Sequence, residues 1–131
     1  MATEDEVLRA YATMINTLDA SRLEPFLPED FHYASQTVIA EIESKQEYME
    51  YITAKLSAIR HSGMQCWAEM GWLPYGFIGP CVILAQDRRD NLIGLVLATM
   101  DGERLKRLAL CVVPPPRAAR RSGEYPGKPP N

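Results

Sequence analysis

Apolar residues in the first half of the chain recur at helical intervals. Val7, Leu8, Tyr11, Met14, Ile15 and Leu18 fall on one stripe, which predicts an amphipathic helix with that stripe buried. Thr3 and Glu6 stand at capping-box spacing before it: the threonine oxygen can accept from a free amide while the glutamate reaches back. Asp19-Ala20-Ser21 breaks the stripe. A second box, Ser21-x-x-Glu24, predicts a short helix with Leu23, Phe26 and Leu27 inward, stopped by Pro28. Phe31–Thr37 alternates as a strand, and Val38–Glu43 has room for a second short one. A third box, Ser44-x-x-Glu47, opens a helix with Tyr48, Ile52, Leu56 and Ile59 inward, closed by Ser62-Gly63.

The second half alternates with the period of a sheet. Met64–Leu73, Cys81–Gln86, Leu92–Met100 and Arg104–Val113 are predicted strands. Glycines and prolines make 74–80 a loop. Asp87–Asn91 is a charged turn, Asp101-Gly102 signals a tight hairpin, and Pro114-Pro115-Pro116 ends the last ladder. Helices on one side of a mainly antiparallel sheet define an α+β domain, with three N-terminal helices on the sheet. Val82, Leu84, Ile93, Leu95 and Leu97 are read as one face; Cys81, Ile83, Ala85, Val96 and Ala98 as the other. Strands apolar on both faces need cover on both. The helices cover one, so the other is expected to meet a second subunit in a homodimer. The alternative is residues 114–131 folding back, but that segment is poor in apolar side chains.

Composition changes the picture little. A chain of 131 residues with 47% hydrophobic and 24% charged residues suits one globular domain. A net charge of -3 leaves no footprint for nucleic acid or an anionic membrane. Residues 1–113 form the expected domain. Residues 114–131, with Arg117, Arg120, Arg121 and Lys128 against Glu124, form an expected disordered tail, rich in proline and arginine. The three cysteines (Cys66, Cys81, Cys111) are odd in number and far apart, so neither a disulfide framework nor a metal clip is expected. The acidic start lacks the apolar core of a signal peptide, and no apolar run approaches the roughly 18 residues of a membrane span. The expected compartment is the cytoplasm, and no cofactor is expected.

Three segments carry a resemblance: Leu18-Asp19-Ala20-Ser21-Arg22, Phe26-Leu27-Pro28-Glu29-Asp30-Phe31 and Ile42-Glu43-Ser44-Lys45-Gln46-Glu47-Tyr48. With the order of elements, they resemble the nuclear transport factor 2-like superfamily, which includes ketosteroid isomerase, SnoaL-like proteins, scytalone dehydratase and limonene epoxide hydrolase. From about residue 16 to residue 56 the spacing is similar to ketosteroid isomerase without a gap. The resemblance implies a cystatin-like cone, with a pocket between the helices and a curved sheet. It also implies positions for a helix-one tyrosine, a base aspartate and a protonated sheet aspartate, the last a known case of a carboxylic acid kept neutral by an apolar site. Here those positions hold Met14, Ser35 and Val96. A thioether cannot donate to an enolate, an unaided serine is too weak a base for a carbon-bound proton, and valine offers an oxyanion nothing. The epoxide hydrolase Asp-Arg-Asp arrangement is not seen.

Tyr33 shares a strand face with Ser35, so both would line the pocket as hydrogen-bond donors, or Tyr33 packs against helix one. Tyr11 and Tyr48 are pocket residues or core. His32 points away if Tyr33 points in. Trp67 and Glu69 share a face, and a carboxylate beside a large ring in a pocket could serve as acid or base; on the other face Glu69 is a solvated edge residue. His61 closes a helix, where a cation suits the dipole. Glu41 and Glu43 are placed at the pocket rim in solvent. The expected function is binding of a small hydrophobic molecule in a mostly apolar pocket lined by Tyr11, Met14, Tyr33, Ser35, Tyr48, Trp67 and Val96. The alternatives are an isomerase, dehydratase or hydrolase working through Glu69 or His61, and a non-catalytic dimeric interaction module.

Overall fold

A computed structural model describes residues 2–37, 40–76 and 78–128. The first helix, α1 (Glu4–Thr17), starts where the capping box places it. The Thr3 hydroxyl accepts from the Glu6 amide at 3.1 Å, and Glu6 accepts from the Thr3 amide at 3.3 Å. Its stripe of Val7, Leu8, Tyr11, Met14 and Ile15 is buried, and Leu18 closes it in the left-handed region. The second box does not form. Asp19 caps instead, accepting from the Ser21 amide at 3.0 Å, and two short 3₁₀ turns (Ala20–Arg22, Glu24–Phe26) stand where a helix was expected. A carboxylate two residues ahead of an amide outcompetes a box that needs a full turn, and Pro25 cuts the segment short. Leu23 and Leu27 are nonetheless buried, as their spacing predicts.

The strand β1 (His32–Ser35) comes next, shorter than its alternation suggests because Gln36 and Thr37 turn away. Helix α2 (Lys45–Ser62) follows β1, so the helices are not all N-terminal to the sheet. The Ser44 hydroxyl caps α2 by accepting from the Glu47 amide at 3.1 Å, and Gly63, at φ 72°, ends it. Of the segment expected as a second short strand, Val38 and Ile39 lie outside the described residues, and Ile42 makes one antiparallel bridge to Tyr33. The remaining strands are β2 (Cys66–Leu73), β3 (Gly79–Gln86), β4 (Leu92–Asp101), β5 (Arg104–Cys111) and β6 (Arg120–Arg121). They form one sheet in the order β1-β5-β4-β3-β2-β6, antiparallel except for β1 beside β5. Register shifts at Leu84/Ala85 and Thr99/Met100 introduce bulges, which bend and twist such ladders.

Alternation within each strand is as predicted, but the pairing between strands is not. Val82 sits opposite Val96 and Ile83 opposite Leu95, so the two faces of β4 are interchanged relative to β3. Opposite residues share a face, and a one-residue slip exchanges every side chain, which periodicity alone cannot detect. The inner face, under the helices, carries Val82, Leu84, Val96, Ala98 and Leu108; the outer carries Cys81, Ile83, Leu95 and Leu97.

Residues 114–128 do not hang free beyond a domain ending at 113. They cross the outer face through a 3₁₀ turn (Pro116–Ala118), bury Ala119 against Leu73, Cys81, Ile83 and Leu95, and add β6 to the edge of β2. The anchoring is mostly polar, which is why apolar content gave no warning of it. Glu69, only 3% exposed, accepts from Arg121 Nε at 2.8 Å, from the Gly123 amide at 2.7 Å and from the Tyr125 hydroxyl at 3.3 Å. Arg121 also reaches Asp90 at 2.9 Å, and Arg9 pairs with Glu124.

Glu69 is buried but Arg121 is about a third exposed, and Glu69 would keep the Gly123 and Tyr125 donors, so the cost of removing Arg121 falls below the roughly 3–5 kcal/mol of a fully buried pair. Arg121→Ala is therefore expected to lower the urea midpoint by an amount equivalent to about 2 kcal/mol. Asp5→Ala, which removes an exposed pair with Arg9, is expected to cost about 0.5 kcal/mol or less. Equal midpoints for the two variants would refute the ranking.

Candidate functional site

The space between the helices and the inner sheet face is built from rings. Tyr11 and Met14 descend from α1, Tyr33 rises from β1, Tyr48 comes from the first turn of α2, and Val96 forms part of the floor. Tyr48 stacks edge-on to Phe31 and tilted to Tyr33, with centroids 5.1 Å away in each case. Tyr51, not singled out from the sequence, completes the group at 5.6 Å from Tyr33. Its signal is the spacing of three from Tyr48 on one helix, which puts both on neighbouring faces. Met14, Tyr48 and Val96 have no accessible surface, and Tyr11 and Tyr33 are 3% and 5% exposed. Side chains fill this part of the cone.

Among the described residues no charged side chain is buried inside that cluster; Lys55 touches its outer end, donating to the Tyr51 hydroxyl at 3.3 Å. Burial pushes the phenols of Tyr11, Tyr33 and Tyr48 above their usual range, and the neighbouring tyrosines push in the same direction. They remain neutral hydroxyls at ordinary pH, able to donate hydrogen bonds and unable to act as bases. The Tyr48 hydroxyl is buried and makes no hydrogen bond among the described residues.

The remaining expected site residues lie elsewhere. Ser35 is at the rim, its hydroxyl 2.8 Å from that of Thr37. Trp67 and Glu69 share a face, as predicted, but it is the outer one, opposite Ala68 and Met70. Lys128 caps the Trp67 ring at 5.1 Å, so Trp67 does not line the cone. Glu69 is neither a pocket acid nor a solvated residue; its oxygens are committed to residues 121–125. His61 is exposed at the end of α2, its Nδ1 2.8 Å from the Ser57 carbonyl. Neither candidate acid–base residue faces the cone.

A cavity of about 500 Å³ opens on the other side of the sheet, and of the expected pocket residues it touches only Ser35. Its floor comes from outward positions, Ala34, Leu97 and Ala109, with Thr99 and Arg107 at one side. Ile78 and Val113, 71% and 69% exposed, stand on its rim. Beside it, Glu41 bridges His32 Nδ1 at 2.6 Å and Arg107 at 3.1 Å. Glu41 is thus not a free rim residue of the cone but ties residues 40–43 to β1 and β5. Among the described residues no group of three or more histidine, cysteine, aspartate or glutamate side chains could hold a metal ion, and no helix is long and apolar enough to cross a membrane.

Solved structures share this arrangement. An NTF2-like protein of unknown function from Cytophaga hutchinsonii superposes with a TM-score of 0.57 over 87% of this chain and 95% of its own, at 13% identity. A proposed ketosteroid isomerase from Kribbella flavida gives 0.54 over 100% of this chain and 87% of its own, also at 13% identity. An uncharacterized cystatin fold protein from Novosphingobium aromaticivorans gives 0.53 over 85% and 98%, at 11% identity. The fold is that of the nuclear transport factor 2-like, or cystatin-like, proteins. No protein-family model matches the chain, and no curated protein matches it in sequence.

Two substitutions probe these arrangements. A buried hydroxyl without a partner costs about 1–3 kcal/mol, so Tyr48→Phe is expected to stabilise the chain by about 1 kcal/mol, read as a raised melting temperature. A fall in melting temperature would show that the hydroxyl is satisfied. His32 and then Arg107 hold the Glu41 carboxyl below the usual carboxylate range. A depressed carboxyl contributes stability that is complete above the unfolded range, near about 4.3, and fades as pH falls through the folded value. Glu41→Gln should therefore flatten the loss of stability between about pH 5 and pH 3; an unchanged acid limb would contradict the pairing.

Proposed function

We propose that the chain is a binding domain whose tyrosine-lined cone receives a small, uncharged, largely apolar molecule, and that it does not work by acid–base turnover. The observation that carries this is the Tyr48 hydroxyl, fully buried, without a hydrogen-bond partner among the described residues and beside the neutral rings of Phe31 and Tyr33. A ligand oxygen accepting from it would remove that deficit. A charged ligand would find no counter-ion there and would lose its hydration. As it stands the interior is closed, so binding is coupled to movement of side chains such as Met14 and Tyr48, which reduces affinity by the fraction of open molecules.

A thermal-shift and native-mass screen with steroid-like, polyketide-like and terpenoid compounds tests this. Anything that binds only the folded chain at 100 times its Kd stabilises it by about 2.7 kcal/mol, so a hit is visible as a rise of several degrees. Tyr48→Phe should abolish the shift. Failure of every compound, or a shift unaltered by Tyr48→Phe, would reject the cone as the site.

The outer cavity supports a second reading, a homodimeric interaction module. A groove floored by Ala34, Leu97 and Ala109, rimmed by exposed Ile78 and Val113 and also lined by the polar side chains of Glu4, Gln36, Thr99 and Arg107, is mixed surface that a second copy could cover. In this reading Val113→Asp converts a dimer into a monomer in sedimentation equilibrium. A wild-type chain of monomer mass at all concentrations would end it.

A further inference from the structure

Residues 120–128 lie along the edge of β2 and the adjoining face of α1, first as the strand β6 and then through a turn in which the Lys128 amide donates to the Tyr125 carbonyl at 3.0 Å. The Met70 amide donates to the Glu124 carbonyl at 2.9 Å, and the Ser122 amide donates to the Met70 carbonyl at 3.2 Å. Asn16 Nδ2 donates to the Pro126 carbonyl at 2.8 Å. Glu69 takes the Arg121 guanidinium and the Gly123 amide. Gly127, at φ 85°, lies so close to α1 that a Cβ there would stand 3.0 Å from the methyls of both Thr13 and Thr17. These contacts read an arginine, a glycine and a run of main chain.

The site also needs an occupant. Without one, the Glu69 carboxylate and the edge groups of Met70 would lose their partners. The occupant is joined to β5 through 112–116, where Gln36 Oε1 accepts from the Val112 and Val113 amides at 2.6 and 2.8 Å and Gln36 Nε2 donates to the Val113 carbonyl at 2.8 Å. Three prolines keep that linker out of the ladder, and its valines are 40% and 69% exposed. None of the docking contacts depends on the covalent connection.

We propose that this groove accepts the same segment from a second copy, so that the chain forms dimers by exchanging residues 120–128. Closed and exchanged forms contain the same docking contacts, so the balance is set by the effective concentration that the linker imposes. For a short linker that is on the order of millimolar. Dilute chains are closed monomers, and exchange grows as the chain concentration approaches that range.

Full-length Gly127→Val loosens the docked segment at a residue where an added side chain would press on Thr13 and Thr17 of α1. It is titrated with a fluorescent peptide of residues 117–128. Saturable binding is expected, weakened about tenfold when Glu69→Gln is added to the same chain. No saturable binding, or indifference to Glu69→Gln, overturns the proposal. Loss of the cooperative unfolding transition in Gly127→Val overturns it as well, since the segment would then belong to the core. In parallel, heavy-isotope and light wild-type chains are mixed at about millimolar concentration. Native mass spectrometry should show mixed dimers that excess peptide dissolves. Dimers that resist the peptide, or none at all, count against exchange.

Discussion

The central strands are apolar on both faces, and a sheet of that kind cannot stand with one side in water. Nearly everything else in the molecule answers to that constraint. The stripe of α1 and the inward residues of α2 cover the inner face with Tyr11, Met14, Tyr48 and Ile52. The chain then supplies part of the second cover itself, by drawing residues 114–128 over the outer face and burying Ala119 among Leu73, Cys81, Ile83 and Leu95. That cover has little apolar surface, so its attachment rests on Glu69 and the groups that bond to it. A buried carboxylate is costly unless fully partnered, and here the same partners that satisfy it fasten the segment.

The chemistry of the cone follows from what fills it. The tyrosines turn their rings to one another and keep their protons, so the interior offers hydrogen-bond donors in an apolar setting and no ionised group. The likeness to isomerases and other NTF2-like proteins lies in the frame, at 11–13% identity, and a frame of this kind hosts unrelated chemistries. The positions that the resemblance to ketosteroid isomerase would assign to proton transfer carry Met14, Ser35 and Val96. The charged residues that could substitute are spent elsewhere: Glu69 on the C-terminal segment, Glu41 on His32 and Arg107.

The outer face is covered unequally. The end near Leu95 and Ile83 lies under residues 116–119, while the end near Leu97, Ala109 and Ala34 borders an open cavity. The chain's own segment and a second copy would therefore meet different parts of one face, and the two kinds of association proposed above need not compete.

Much of this was legible in the residues alone, because it is local. The Thr3–Glu6 box, the stripe of α1, the cap at Ser44, the stop at Gly63 and the alternation within each strand depend on neighbours a few positions apart. They were enough to predict an α+β domain and the nuclear transport factor 2-like resemblance. What the tertiary structure decided depends on residues far apart. The pairing of Val82 with Val96 fixes which face of β4 is inner, and no periodicity within either strand contains that information. The side on which Trp67 and Glu69 lie follows from the same ladder. The docking of residues 114–128 rests on hydrogen bonds that Glu69 accepts from groups 52 to 56 positions away, donated by polar atoms that composition counts as solvated tail. Local spacing carries helices and strands; register and polar recognition emerge only when distant segments meet.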